Sequence, residues 1–78
     1  MTARAQEIVI EIAGMRSEAD VDRVCAELRR LAGVSEAFAS FTESLATVTA
    51  DPTVATREVL SAAVVAAGFT PGEVRFPE

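Results

Sequence analysis

An α+β fold is predicted by three features of this 78-residue sequence. Apolar residues alternate with polar ones in four short segments, which is the period of half-buried strands. Between these segments lie two stretches with apolar residues at every third or fourth position, as on one face of a helix. The order is strand, helix, strand, strand, helix, strand, which predicts a ferredoxin-like βαββαβ sandwich with a four-stranded antiparallel sheet and two helices on one face. We expect a single domain over residues 1–78, with its core in about residues 7–76.

The first strand is predicted where Ile8, Ile10 and Ile12 alternate with neighbours that include two glutamates. A period of two places the three isoleucines on one face of the sheet, toward the helices. The opposite face of this strand carries Val9. Gly14 follows the alternation and ends the strand.

The first helix is predicted over roughly residues 18 to 31. Ser17 is a favourable N-cap residue, because its hydroxyl can accept a hydrogen bond from the backbone N–H of Asp20. The acidic side chains of Glu18 and Asp20 lie near the positive end of the helix. Gly33 is expected to end the helix as C-terminal cap residues do. One apolar face is formed by Val21, Val24, Leu28 and Leu31.

A hairpin is predicted from residues 34 to 41 and 45 to 50, joined by a turn at residues 42 to 44. The residues that alternate toward the helices are Ala37, Ala39 and Phe41 on one strand and Ala46, Val48 and Ala50 on the other. The same alternation sends Phe38 and Leu45 to the opposite face. The hairpin therefore extends the face on which Val9 lies.

A second helix is predicted to begin after a cap at Thr53 or Thr56 and to end near Ala67, before a glycine. Pro71-Gly72 is then expected to turn the chain. Residues 73 to 76 can form a short last strand.

Composition excludes several classes of function. The formal net charge is −5, from 12 Asp plus Glu against 7 Lys plus Arg, which argues against a nucleic-acid or anionic-membrane surface. Histidine is absent and the single cysteine cannot form an internal disulfide. Without the usual general base or a Gly-rich phosphate loop, the sequence indicates no enzyme. No apolar run approaches the roughly 18 residues of a membrane span, so we expect no membrane insertion and a cytoplasmic location.

Several segments carry a resemblance to a known family. They are Gly14-Met15-Arg16-Ser17-Glu18-Ala19-Asp20, the helix exit Gly33-Val34, the strand Leu45-Ala46-Thr47-Val48-Thr49 followed by Asp51-Pro52, and Ala66-Ala67-Gly68-Phe69. The sequence from Glu7 to about Thr70 resembles the heavy-metal-associated (HMA) domain of copper chaperones and of the amino-terminal modules of metal-pumping ATPases. The resemblance implies the ferredoxin-like fold.

The resemblance also implies where a metal site would lie. The family's loop reads Gly-Met-x-Cys-x-x-Cys, and its two thiolate positions fall on Ser17 and Asp20. Met15, beside Gly14, would support the loop from the core. A serine hydroxyl stays protonated at neutral pH and a carboxylate offers hard oxygen, whereas Cu(I) and Zn(II) in the family are held by soft thiolates. We therefore expect no cofactor, with copper or zinc only if the family function persists.

Four residues in the loop and in the first helix are interpreted as structural, three of them with an alternative. Ser17 is interpreted as an ordinary N-cap. Glu18 and Asp20 are interpreted as partners of the helix dipole, with a weak divalent-cation site or a partner contact as alternatives. Cys25 lies about 12 Å along the helix from Ser17, at 1.5 Å per residue, so it cannot replace the missing pair. We interpret it as a half-buried small hydrophobe, with a redox-active or intermolecular thiol as the alternative.

Two surfaces remain as candidate interaction sites. Val9, Phe38 and Leu45 share the sheet face opposite the helices, and an open face with an exposed Phe can bind a partner. On the second helix, Ala62 and Val65 are surplus to the residues needed to cover the sheet.

The sequence therefore predicts a docking or regulatory module with an HMA-like fold that binds a protein partner or a second copy of itself. The acidic balance favours a basic or apolar partner, and no nucleic acid. One alternative is a metallochaperone with a non-standard or weak site, built from Asp20, backbone oxygen or the Cys25 of a second molecule. Another is a ferredoxin-like domain that binds a small molecule.

Overall fold

Six elements follow one another in the order that the sequence predicts, in a computed structural model that describes residues 5–77. They are β1 (Gln6–Ala13), α1 (Glu18–Arg29), β2 (Val34–Ser40), β3 (Leu45–Ala50), α2 (Arg57–Ala66) and β4 (Thr70–Arg75). The strands form one antiparallel sheet in the order β2-β3-β1-β4. Both helices cover the same face of this sheet. The predicted ferredoxin-like fold is confirmed.

The core lies between the sheet and the two helices. Ile8, Ile10 and Ile12 of β1 are fully buried, as the alternation predicts. They form one cluster with Leu28 of α1 and Leu60 of α2. Each such side chain contributes about 1.5–3 kcal/mol when it leaves water, so this central strand is a main source of stability.

Helix α1 ends two residues earlier than predicted. Arg30 is its C-cap, and the N–H groups of Arg30 and Leu31 donate to carbonyl oxygens three residues back, over 3.3 and 3.2 Å. These i to i−3 bonds tighten the last turn and close the helix. Gly33 therefore lies in the following turn, with φ of +85°, and a Cβ there would meet the side chain of Val54 at 3.0 Å.

Helix α2 begins at the second of the two predicted caps. The Thr56 hydroxyl accepts a hydrogen bond from the backbone N–H of Val59 over 3.4 Å. Thr53 instead donates through its backbone N–H and its hydroxyl to Oδ1 of Asp51, at 2.9 and 2.7 Å. Because Thr53 is bound to Asp51 in this turn, Thr56 is the residue that caps the helix.

The end of α2 has the glycine motif that the sequence predicts. Ala67 is the C-cap and Gly68 follows with φ of +98°. The N–H of Gly68 donates to the Val65 carbonyl over 2.9 Å, and the N–H of Phe69 donates to the Val64 carbonyl over 3.1 Å. This pair of bonds is a Schellman motif, which satisfies carbonyls that the helix leaves free. Within residues 5–77, no helix is long and apolar enough to cross a membrane.

The last strand differs from the prediction. Pro71-Gly72 does not form a turn before a strand at residues 73 to 76, because both residues lie within β4. Ile10 pairs with Val74 and Ile12 pairs with the proline, so β4 carries one extra residue in a bulge. An edge strand tolerates proline at such a position because one side of it needs no ladder bond. The hairpin of β2 and β3 agrees with the prediction to within one residue.

Candidate functional site

The loop that carries the family resemblance joins β1 to α1. Gly14 has φ of +108°, in the left-handed region that favours glycine. A Cβ at this position would lie 3.3 Å from Cδ1 of Phe69, so the glycine also makes room for the ring. Met15 is buried in the core, and the same ring packs against this core. This burial is what the proposed role of Met15 as a support for the loop requires.

Ser17 and Asp20 form a reciprocal cap at the start of α1. Oγ of Ser17 accepts a hydrogen bond from the backbone N–H of Asp20 over 3.4 Å. Oδ2 of Asp20 in turn accepts from the backbone N–H of Arg16 over 2.8 Å. The arrangement resembles a capping box, except that Asp20 accepts from the N–H of the residue before the N-cap. The prediction that Ser17 caps α1 is confirmed.

The donor atoms in this loop do not fit a soft metal ion. The two positions present a neutral hydroxyl and one carboxylate, and one oxygen of that carboxylate is already bound to a backbone N–H. Cu(I) selects soft sulfur ligands, and Zn(II) sites combine several thiolate, imidazole or carboxylate ligands. Within residues 5–77, no group of three or more His, Cys, Asp or Glu could hold a metal ion. The loop's geometry therefore serves the helix start.

Solved structures resemble this fold over most of its length. The yeast copper transporter domain CCC2A, solved in apo and Cu(I)-loaded states, has a TM-score of 0.82 at 26% identity, over 94% of this chain and 100% of that chain. The copper-binding domain of HMA7, a P-type ATPase, has a TM-score of 0.79 at 25% identity, over 94% and 95% of the two chains. The chain is a structural relative of the HMA domains. The predicted resemblance is confirmed.

A third relative extends the likeness to bacteria. The amino-terminal domain of a potential copper-translocating P-type ATPase from Bacillus subtilis, in its Cu(I)-loaded state, has a TM-score of 0.77 at 25% identity, over 92% of this chain and 86% of that chain. No protein-family model and no curated protein matches the sequence. The likeness to copper-binding domains is therefore one of structure. The cysteine pair of the family's loop is missing from the sequence.

Cys25 is more deeply buried than the sequence predicts. Its exposed fraction is 5%, and it belongs to the core cluster, so the expected half-buried position is wrong. The cause is the packing of α1 on the sheet, which covers the edge of the helix's apolar face as well as its centre. Burial raises the pKa of the Cys25 thiol, and Asp22 adds to the rise while Arg29 opposes it. The neutral thiol is a poor nucleophile and a poor metal ligand.

The sheet face opposite the helices, here called the open face, carries an apolar row. Phe38 of β2 and Val9 of β1 both pair with Thr47 of β3, so the three side chains lie side by side across adjacent strands. We use the name apolar row for Phe38, Thr47 and Val9. Phe38 is 62% exposed, and Val9 is half-buried. Two of the predicted interaction residues are thus neighbours in space although they are far apart in sequence.

The third predicted residue of this face, Leu45, lines a groove at one end of the sheet. The groove has a volume of about 500 Å³ and extends from Val9 and Leu45 to the bulged part of β4 at Pro71. Phe38 does not line it. Sequence reasoning missed this groove, because it is formed by the pairing of β1 with a strand whose bulge the sequence pattern does not reveal.

The predicted surface on α2 divides into two parts. Val65 is 59% exposed and points away from the sheet. Ala62 lines a shallow groove of about 420 Å³ between α1 and α2, which Val65 does not reach. Val59 also lines this groove and is exposed, a residue that the sequence prediction left out of the surface. Its position one turn before Ala62 on the same helical face was the signal that could have found it.

Proposed function

We propose that this HMA-like domain is a protein-docking module and not a carrier of soft metal ions. The observation that carries the proposal is the reciprocal cap of Ser17 and Asp20. It occupies the two positions that the family resemblance assigns to thiolates, and it uses their polar atoms to start a helix. If the loop forms a structural cap instead of a metal site, the domain acts by binding other molecules through its surface.

Two exposed apolar surfaces support a docking role. Large apolar side chains are exposed at Phe38 on the open face and at Val65 on α2, and neither is needed to cover the core. Docking sites commonly have an apolar or aromatic anchor residue that is surrounded by polar and charged side chains. We also propose a cytoplasmic location, in which the single free thiol of Cys25 suits a reducing compartment.

One alternative is a metallochaperone with a non-standard or weak site. It is favoured by the likeness to copper-binding domains at 25–26% identity. It would require Asp20, backbone oxygen or the Cys25 of a second molecule as ligands. The burial of Cys25 and the hydrogen bond held by Asp20 both weigh against that ligand set.

A Cu(I) competition titration separates the two proposals. The domain, under reducing conditions, is titrated against a chromogenic Cu(I) chelator, with the Bacillus subtilis relative as the positive control. We expect the chelator to keep the copper when this domain is present. Transfer of one Cu(I) per chain would overturn the proposal, and its persistence in Cys25→Ser would identify the loop as the site.

Affinity capture tests the docking role directly. Three baits are compared: the wild-type domain, Phe38→Glu and Val65→Glu. We expect the wild type to retain partner proteins that one of the two variants no longer retains. A carboxylate at the anchor position of an interface is not tolerated when that position is buried by the partner. If all three baits retain the same proteins in the same amounts, neither surface is a docking site and the proposal is wrong.

A further inference from the structure

We propose that the open face of the sheet docks a positively charged protein segment that carries a large apolar side chain. This inference rests on the proposed docking function and specifies its surface and its partner. Three observations support it: the negative charge around the apolar row, the two sheet edges that are unsuited to strand pairing, and the balanced charges at the groove beside α2.

The open face has an excess of negative charge. A cationic side chain on this face, Arg75, pairs with Val9 in the strand register and is already engaged by two carboxylates. Nη2 of Arg75 donates to Oε2 of Glu11 over 2.7 Å, and its Nε lies 3.6 Å from Oε1 of Glu73. Two carboxylates on one guanidinium leave a net negative charge at this end of the face.

Two further glutamates frame the other side of the apolar row. Glu36 of β2 and Glu7 of β1 both pair with Thr49, so they flank it as Phe38 and Val9 flank Thr47. Both glutamates are exposed. Within residues 5–77, no cationic side chain forms a salt bridge with either of them. In the described part of the chain, their charge is therefore not offset by an ion pair.

The spacing of these groups defines what the partner presents. Neighbouring strands lie about 4.8 Å apart, so the backbone positions of the two framing glutamates are about 10 Å from each other across the sheet. Alternate residues on one strand are about 7 Å apart, which separates the carboxylates from the apolar row. A segment that places an aliphatic or aromatic side chain on the row and Lys or Arg side chains about one such step away satisfies both features.

The edges of the sheet are poor sites for strand addition, which favours docking onto the face. On the edge strand β2, Nη2 of Arg29 donates to the carbonyl oxygen of Ala37 over 2.9 Å. The opposite edge strand, β4, contains Pro71 and the bulge. A side chain bound to an edge carbonyl, a proline and a bulge are all features that oppose pairing with another strand.

The groove between the helices is a less suitable docking site, and a second copy of the chain is a less suitable partner. The charges beside the groove, Glu27 and Arg30, lie 3.6 Å apart and offset each other, so that groove has no preference for charge. A second copy carries the same net charge of −5 and would be repelled by the open face. A basic partner is instead attracted by the negative charge of the open face.

Peptide selection tests the inference. Random peptides of about twelve residues, long enough to cross the sheet when extended, are displayed and selected on the folded wild-type domain. Affinities of the selected peptides are then measured by fluorescence anisotropy for wild type, Phe38→Glu and the double variant Glu7→Lys/Glu36→Lys. The controls are Val65→Glu and Glu58→Lys, which make the same kinds of change, an apolar residue to Glu and a Glu to Lys, on the helical side.

We expect selected peptides with net positive charge and at least one large apolar residue. Their affinity should fall about tenfold or more in Phe38→Glu and in the double variant and stay within about twofold in both controls. It should also fall as the ionic strength rises from about 0.05 to 0.5 M, since salt screens exposed charges.

Three results would overturn the inference. Selected peptides that are neutral or acidic contradict the charge argument. Peptides that bind Phe38→Glu as tightly as wild type contradict the surface, and if Val65→Glu alone abolishes their binding, the docking function stands with α2 as its site. A selection without any enriched peptide also contradicts it, and the capture experiment with natural partners then judges the docking function separately.

Discussion

The backbone N–H of Arg16 donates a hydrogen bond to Oδ2 of Asp20 over 2.8 Å, across the first turn of α1. With the bond from the Asp20 N–H to Ser17 Oγ, it ties both family ligand positions to the helix start. The same turn that presents sulfur ligands in the family's loop pattern here presents backbone-bound oxygen. The consequences of this exchange can be measured for both stability and metal binding.

The cap at Ser17 should contribute measurably to stability. Ser17→Ala removes the side-chain acceptor for the Asp20 N–H, and we expect the free energy of unfolding to fall by about 1 kcal/mol. Ser17→Asn keeps an acceptor and should stay close to wild type. Urea unfolding followed by circular dichroism compares the three. If Ser17→Ala were as stable as wild type, the hydroxyl bond would not stabilise the helix.

Restoring the two thiols should restore soft-metal binding. In Ser17→Cys/Asp20→Cys the loop regains the family's pattern, with Gly14 and Met15 still in place. We expect the double variant to remove Cu(I) from a chelator that retains it against the wild type, because two thiolates on one helix turn suit Cu(I). Each single variant is the control and should bind far more weakly. A double variant as weak as the singles would show that more of the loop than its ligands has changed.

Gly14 should be less replaceable than Gly68. Both have positive φ, +108° and +98°, and alanine at such a position costs about 1–2 kcal/mol of backbone strain. A Cβ at Gly14 would also approach the Phe69 ring at 3.3 Å, whereas nothing lies within 4 Å of a Cβ at Gly68. Thermal unfolding should therefore give a lower midpoint for Gly14→Ala than for Gly68→Ala. The reverse order would contradict the close approach of the ring.

Cys25 should make stability fall in alkaline solution. Burial raises the pKa of its thiol above the ordinary value of 9.0, so the unfolded chain loses this proton first as the pH rises. The neutral thiol's contribution to the free energy of unfolding is complete below pH 9.0 and is lost as the pH rises through the pKa of the folded state. The sequence contains no Tyr and no Lys, whose ordinary pKa values also fall in the alkaline range. Urea unfolding above pH 9.0 should show this fall in wild type and not in Cys25→Ala.

Phe38→Glu should leave the fold intact. The ring is 62% exposed and lies on the face away from the core, so the free energy of unfolding should change by about 0.5 kcal/mol or less. Leu28→Ala is the contrasting variant, since a fully buried Leu loses about 2–5 kcal/mol on truncation. Urea unfolding of both establishes whether any loss of binding in Phe38→Glu reflects the surface. A large loss of stability in Phe38→Glu would mean that the ring is part of the packed structure.

Most of the fold could be predicted from the sequence because its elements are specified by local patterns. The alternation around Ile10 and the helical spacing around Leu28 are each complete within one segment. Ser17 and Gly68 likewise act on backbone groups three to five residues away, through the cap and the Schellman motif. The bulge in β4 was not predictable in this way, because it is fixed by how that strand registers against β1.

The order of the elements, the buried face of each and the absence of a cysteine pair from the loop can be read from residue type and spacing alone. Which outward side chains meet depends instead on how the chain folds. The pairing of Glu11 with Arg75 joins residues 64 positions apart, and the apolar row aligns Val9 with Phe38 through a strand between them. How deeply Cys25 is buried also depends on how the chain folds. Contacts of this kind arise from strand register and helix packing, which hydrophobic contacts across the whole chain set together.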